Sequence, residues 1–68
     1  MKDLKNKKFR HYKGGIYIVS DIAVHTETLK WMVVYKAVSD GAVWVRPVEL
    51  FMGDVSEGVK RFTLIEDN

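Results

Sequence analysis

The sequence predicts an all-β domain: a small, strongly bent antiparallel sheet or partial barrel, SH3-like, with one short helical turn before the last strand. Apolar residues alternate with a period of two in several short runs that are rich in β-branched and aromatic residues. Turn-forming residues separate these runs. With 68 residues and no cysteine, the chain has room for one core and cannot form a disulfide framework.

The first two predicted strands are residues 9–12 and residues 16–25. A glycine pair in Lys13-Gly14-Gly15 provides the turn between them, because glycine adopts positive φ without steric cost. Apolar and polar residues alternate along the second strand, with Ile16, Ile18 and Ile22 on one face. Ser20-Asp21 interrupts the alternation and predicts a bulge or bend there.

The third and fourth predicted strands are residues 30–37 and residues 43–46. Both faces of the third are apolar in the middle, which is typical of a central strand or of one covered by a partner. Residues 26–29 form the turn before it, and Ser39-Asp40-Gly41 indicates a hairpin after it. Pro47 must end the fourth strand or place it at a sheet edge.

The predicted helical turn follows Pro47, a residue that suits the first position of a helix. Val48, Phe51 and Met52 stand at i, i+3 and i+4, so one turn would bury all three together. A further turn at residues 56–58 leads to a last strand at residues 60–65. An OB-type barrel is the second choice of fold, since it normally contains a longer helix than this one.

The charge is unevenly placed and suggests three segments: a basic N-terminal arm at residues 1–8, a single β-barrel-like domain at residues 9–65 and an acidic tail at residues 66–68. Residues 1–13 hold six lysines and arginines and one aspartate. Such an arm fits either a polyanion partner or a solvated segment. We see no signal peptide and no apolar run of the roughly 20 residues that a bilayer requires, so we expect a cytoplasmic location without membrane contact.

Aromatic side chains are too numerous for a core of this size. Tyr12, Tyr17, Trp31, Tyr35 and Trp44 compete with the aliphatic residues of the strands for a small interior. Some aromatic surface should therefore be exposed, either as a ligand groove or as a dimer interface.

Arg46 is the charged residue with the clearest functional pattern. It alternates with Trp44 along one strand, so the two side chains share a face, where a guanidinium can stack on a ring or bind an anion. The structural alternative is a salt bridge from Arg46 to Glu49 or Glu27. Arg61, beside Phe62, has the same two interpretations, with the structural one favoured more strongly.

The two histidines, His11 and His25, could form a metal site or a general base with Glu27. The spacing matches no established ligand pattern, and the alternative is a turn-stabilising hydrogen bond between His25 and Glu27. No nucleophile motif surrounds the hydroxyl residues nearby, which disfavours a serine hydrolase. Lys13-Gly14-Gly15 lacks the spacing of a phosphate loop and is interpreted as a turn. We predict neither a metal site nor a cofactor.

Several motifs occur in a fixed order along the chain: His11-Tyr12-Lys13-Gly14, Tyr17, His25-Thr26-Glu27-Thr28, Val34-Tyr35, Trp44-Val45-Arg46-Pro47 with Phe51, and Arg61-Phe62. In this order the chain resembles the small bacterial and phage family catalogued as domain of unknown function 1653, over roughly residues 9–62. Phe9 stands where that family usually has tyrosine. The resemblance implies a single small β domain. The family has no established activity and no assigned catalytic residues or cofactor, so the resemblance does not decide the chemistry.

Three hypotheses of function follow. The first, which we favour, is a binding module that holds an anionic ligand, a peptide or a nucleic acid on an aromatic and arginine-bearing face. The second is a small metal-dependent enzyme that uses His11, His25 and Glu27. The third is a homodimer through Met32 and Val34 without a small-molecule site. The predicted ligand-binding residues are His11, Lys13, His25, Glu27, Tyr35, Trp44, Arg46 and Arg61.

Overall fold

The computed structural model describes residues 4–66, which form seven strands and one helical turn. The all-β class and the single helical turn are confirmed. The elements are β1 (Lys8–His11), β2 (Ile16–Val24), β3 (Trp31–Ala37), β4 (Val43–Pro47), α1 (Val48–Phe51), β5 (Asp54–Ser56), β6 (Val59–Lys60) and β7 (Phe62–Glu66).

Five strands form one antiparallel sheet in the order β4-β3-β2-β1-β7. The first four strands are consecutive neighbours, and β7 returns to pair with β1. The two edge strands, β4 and β7, are not paired with each other, so the sheet does not close into a barrel. Within residues 4–66 no helix has the length and apolar character needed to cross a membrane.

A bulge in β2 sets which side chains face the core. The pairing of β2 with β3 shifts register between Val19 and Asp21, as the Ser20-Asp21 interruption predicts. Because a bulge inserts one residue, it moves Ile22 onto the face of Val19, where Ile22 packs against the core. The predicted grouping of Ile22 with Ile18 on one face is therefore wrong, and Ile18 is exposed.

The core lies on one face of the sheet, and α1 covers part of it. Phe51 projects from α1 and is fully buried, while Val48 packs at the margin of the core. Met52, expected to be buried with them, is 40% exposed because α1 ends at Phe51. Gly53 then leaves α1 so closely that an added Cβ would lie 2.8 Å from the Glu49 carbonyl oxygen. The buried core cluster is Leu4, Phe9, Val19, Val33, Tyr35, Phe51 and Phe62.

The segment predicted as a basic arm contributes to this core in its described part. Leu4 is buried among the core residues. The Asn6 amide donates a hydrogen bond to the Val19 carbonyl, and the Val19 amide donates to the carbonyl of Lys7. Asn6 and Lys7 therefore extend the pairing of β1 with β2, and Lys8 already belongs to β1. Of the predicted tail at residues 66–68, Glu66 is the last residue of β7. Residues 67–68 lie outside the described residues, as do residues 1–3 of the predicted arm.

A two-stranded hairpin between α1 and β7 has no counterpart in the sequence prediction. Strands β5 and β6 pair only with each other among the described residues, around a turn at Gly58 with φ of +76°. The turn itself was predicted at residues 56–58. The strands were missed because they are three and two residues long, too short for an alternating pattern to be recognised.

Strand β3 lies one position from the sheet edge, between β4 and β2. Val33 and Tyr35 are buried on its core face, and Met32 is buried on the opposite face. The prediction of a central strand is confirmed by this position, and both faces are buried at Met32 and Val33, although Trp31 at the start of the strand is exposed. Burial of Met32 within the monomer leaves less of the predicted Met32 and Val34 dimer face available than the sequence suggested.

Candidate functional site

A cleft of about 140 Å³ opens on the core face of the sheet, beside the part that α1 covers. Every strand of the five-stranded sheet contributes to it, because residues from β1, β2, β3, β4 and β7 converge there. Register explains the convergence: His11 pairs with Phe62, and Tyr35 pairs with Trp44. The lining residues are His11, Tyr17, Tyr35, Trp44, Arg46 and Phe62.

Ring contacts fix the walls of this cleft, which we call the Arg46 cleft. Edge-to-face contacts join His11 to Phe62 and Tyr17 to Tyr35, with ring centroids 4.9 and 5.4 Å apart. Phe62 stacks on Phe51 of the core at 4.1 Å, so the cleft shares one aromatic network with the core. Such interlocked rings restrict the side chains of the cleft to a fixed arrangement.

The guanidinium of Arg46 is the main charge in the cleft. Its central carbon lies 6.0 Å from the centroid of the Phe62 ring. The predicted salt bridge from Arg46 to Glu49 or Glu27 does not form, because Glu49 pairs with Lys30 at 3.1 Å and Glu27 lies beside His25. Among side chains that the structure describes, no carboxylate pairs with Arg46.

Tyr35 brings a phenol to the inner wall of the cleft. Burial raises the pKa of this phenol above its ordinary value of 10.0, and the charge and hydrogen bonding of Arg46 oppose that rise. Tyr35 is therefore neutral at physiological pH and can donate a hydrogen bond.

His11 forms the opposite rim and is held in one orientation by the turn that follows β1. Its Nδ1 accepts a hydrogen bond from the Lys13 backbone amide at 3.2 Å. Burial lowers the pKa of His11 below the ordinary 6.5, and the charges of Arg46, Arg61 and Lys13 lower it further. His11 is thus neutral at physiological pH, and with Nδ1 accepting, the proton resides on Nε2.

We expect His11 to make the domain sensitive to mild acid. Because its pKa is lowered by folding, the folded state binds this proton less tightly than the unfolded state does. The stability that neutral His11 contributes is complete above pH 6.5 and is lost as the pH falls through the folded pKa. NMR titration should give a His11 midpoint below 6.5 that rises in Arg46→Gln. A midpoint at 6.5, unmoved by that substitution, would contradict the assignment.

Arg61 and Lys13 lie around the cleft without lining it. The Nε of Arg61, the residue before β7, donates to the Leu50 carbonyl of α1 at 3.2 Å, so its structural contact is to a backbone carbonyl and not to a carboxylate as the salt-bridge alternative expected. The Lys13 ammonium lies 5.8 Å from the ring centroid of the exposed Tyr12. Both cations act on His11 through space, so they add positive potential near the cleft.

His25 and Glu27 lie elsewhere, in the turn after β2. Since β2 is nine residues long, His25 is about 25 Å from the end of the strand that bears Tyr17. The structure therefore does not bring His11 to His25 and Glu27, as the alternative hypothesis of a metal-dependent enzyme requires, and no group of three potential metal ligands occurs within residues 4–66. Instead, His25 Nδ1 accepts the backbone amides of Glu27 and Thr28, so this histidine stabilises the turn as the structural alternative predicted.

The structure thus brings together four of the eight predicted site residues, namely His11, Tyr35, Trp44 and Arg46. The sequence prediction omitted Tyr17 and Phe62. Tyr17 was counted among the aromatic residues that compete for the interior, and Phe62 was considered only as the neighbour of Arg61, so neither was predicted as part of a cleft. All six lining residues belong to the ordered motifs quoted above.

A second hollow of about 320 Å³ lies at the start of β3 and is mostly apolar. Leu29, Trp31 and Val48 line it, with the Lys30–Glu49 ion pair at its border. Leu29 has a positive φ of 60°, which is uncommon for a residue other than glycine, and its side chain is exposed. Sequence reasoning did not anticipate this hollow, because it depends on how α1 packs beside β3.

Comparison with known proteins gives a family and no activity. The sequence profile of a family described as "Protein of unknown function (DUF1653)" matches residues 7–64. No curated protein and no solved structure matches the chain. The profile spans most of the 68 residues, so the chain belongs to this family.

Proposed function

We propose that this member of the DUF1653 family is a non-enzymatic binding domain that holds an anionic group of its ligand in the Arg46 cleft. One observation carries the proposal: a half-buried guanidinium lies among aromatic walls, and no described carboxylate pairs with it. A partly desolvated, unpaired cation gains from an anion more than an exposed one does. Lys13 and Arg61 add to the positive potential.

The same geometry argues against a cationic ligand. Tyr17, Tyr35, Trp44 and Phe62 together resemble the aromatic cages that bind methylated ammonium groups. In this cleft, however, Arg46 already supplies a positive charge beside Phe62 and would repel a second cation. A volume of about 140 Å³ suits one carboxylate, one phosphate or a single planar ring.

Binding rather than catalysis is also what the donor set favours. The six lining residues include no serine, threonine, cysteine or carboxylate, so they supply no nucleophile paired with a base. His11 has one ring nitrogen engaged by the Lys13 amide, and its remaining N–H is a hydrogen-bond donor. Arg46, Tyr35 and His11 therefore present donors to a bound anion. We propose that the domain binds its ligand in the cytoplasm, the location that the sequence predicts.

The test compares Arg46→Gln with Arg10→Gln. Arg10 is exposed and lies next to His11 in β1, so its side chain points to the other face of the sheet and serves as a matched control. We would titrate acetate, inorganic phosphate and uridine monophosphate, following the Trp44 indole and His11 ring signals by NMR, since fluorescence would also report Trp31. At least one anion should bind and raise the His11 titration midpoint, because a neighbouring negative charge favours the imidazolium.

Arg46→Gln should weaken this binding at least tenfold, which is about 1.4 kcal/mol and close to the lower end of the range for a hydrogen bond to a charged group. Arg10→Gln should change it less than twofold. The proposal fails if none of the three anions perturbs Trp44 or His11, or if both variants bind as tightly as the parent chain.

A further inference from the structure

Strand β4 is an open edge of the sheet. It pairs with β3 on one side, and no strand within residues 4–66 pairs with it on the other. Three consecutive residues of this edge are largely exposed: Val43 by 61%, Trp44 by 54% and Val45 by 60%. Proteins commonly protect an edge strand with lysines, bulges or covering loops. The central stretch of β4 contains no lysine and no bulge.

The hydrogen-bond phase of β4 determines which backbone groups are available. The Ala37 amide donates to the Ala42 carbonyl at 2.8 Å, and residues two apart along an antiparallel pair repeat that arrangement. Trp44 and Arg46 therefore direct their backbone groups toward β3. Val43 and Val45 direct theirs outward, as does Pro47, which has no N–H to leave unsatisfied at an edge.

The same strand also builds the Arg46 cleft. Trp44 and Arg46 alternate with the two valines, so their side chains stand on the cleft face while the valine backbones face outward. A peptide strand paired with Val43 and Val45 would direct every second side chain onto that face. The open edge and the unpaired cation are therefore adjacent parts of one surface.

We infer that β4 accepts an extended acidic peptide as a sixth strand, one of whose carboxylates pairs with Arg46. The inference rests on the proposed function, and it adds the chemistry and conformation of the ligand. Backbone hydrogen bonds to Val43 and Val45 supply part of the affinity, and the carboxylate supplies selectivity and register.

Charge complementarity favours this occupant over a second copy of the chain. The β4 sequence, Val-Trp-Val-Arg-Pro, has no acidic residue, so pairing β4 with another β4 would leave both guanidiniums without a carboxylate from the paired strand. A nucleic acid would satisfy the cations, but it has no row of alternating amide and carbonyl groups to match the edge.

The experiment uses the full chain and three acetylated, amidated heptapeptides in which valine alternates with glutamate, glutamine or lysine. The glutamate peptide should bind at least tenfold more tightly than the glutamine peptide, and the lysine peptide should bind most weakly. Hydrogen exchange of the Val43 and Val45 amides should be fast in the free protein and slowed by the glutamate peptide. Acetate should not slow it, since it occupies the cleft alone.

Two substitutions at one position separate the edge from the cleft. Val45→Pro removes an outward N–H. It should weaken binding of the glutamate peptide at least tenfold while leaving small-anion binding intact. Val45→Ala keeps that N–H and should bind the peptide within about threefold of the parent. If Val45→Pro does not fold, amide exchange in the parent chain still decides the question.

The outcomes distinguish this inference from the proposal beneath it. If small anions bind but the glutamate peptide does not protect the Val43 and Val45 amides, the strand model alone is overturned. If small anions do not bind and the amides are not protected, both the strand model and the proposed function are overturned. Equal affinity for the glutamate and glutamine peptides overturns the carboxylate assignment. Protection of the free protein that grows with its own concentration would assign the edge to a second copy, and tighter binding of oligothymidylate than of the glutamate peptide would assign the surface to single-stranded nucleic acid.

Discussion

Replacing Phe51 with alanine should destabilise the domain by about 3–5 kcal/mol, the cost of deleting a fully buried phenylalanine. Phe51 has no exposed surface, and its ring contacts Phe9, Tyr35 and Phe62 at centroid distances of 5.1, 5.2 and 4.1 Å. A chain of this size has roughly 3–10 kcal/mol of stability in total. Urea unfolding should therefore show the variant largely unfolded or its midpoint severely lowered, with the Arg46 cleft lost at the same time.

The adjacent residue provides the control. Met52 is 40% exposed just beyond α1, so Met52→Ala should cost less than about 1 kcal/mol. If Phe51→Ala is too unstable to measure, Phe51→Leu keeps most of the buried volume and should cost less than the alanine variant. Similar losses for Phe51→Ala and Met52→Ala would contradict the packing of α1 described above.

Leu4→Ala should destabilise the domain by about 2–4 kcal/mol, although the sequence predicts residue 4 in a solvated arm. Leu4 is 3% exposed and belongs to the core cluster, and the amide of Asn6 secures its segment to Val19 at 2.8 Å. A loss of this size lowers the melting temperature of a domain of this length by about 10 °C or more. Thermal unfolding followed by circular dichroism measures it directly.

Leu50→Ala is the matched control, because it removes the same side chain from a position that is 52% exposed. Only the backbone carbonyl of Leu50 is used by Arg61, so that hydrogen bond survives the substitution. We expect a change below about 1 kcal/mol. An unaltered melting temperature in Leu4→Ala would contradict the packing of Leu4 in the core and would favour a solvated arm at residues 4–7.

Much of the fold was predictable because its signals are local. The turn at Lys13-Gly14-Gly15, the bulge at Ser20-Asp21 and the helical turn after Pro47 each depend on the conformational preferences of a few neighbouring residues. The period-two patterns likewise placed the long strands β2 and β3 within about a residue of their observed ends. The SH3-like assignment stays a prediction, since it concerns how the sheet curves rather than which segments are strands.

The site could be predicted from the sequence only for residues that lie on the same strand. Alternation alone placed Trp44 and Arg46 on one face, and both line the cleft. The hypothesis of one site formed by His11, His25 and Glu27 does not hold in the structure. His11 lies near the start of β2 and the other two residues follow its end, and the order of motifs in the sequence does not show that the strand holds them apart. Exposed aromatic surface was expected from chain length, and Tyr12, Trp31 and Trp44 confirm it.

By itself, the sequence determined that this is a single-core, cysteine-free β domain of the DUF1653 family with more aromatic residues than its interior can hold. Tertiary structure decided which of those residues meet. The return of β7 to pair with β1 sets Phe62 beside His11, and the pairing of β3 with β4 sets Tyr35 beside Trp44 and leaves β4 as an open edge. The pairing of strands that are distant in the sequence depends on which faces of the sheet become buried. No short stretch of sequence therefore encodes it.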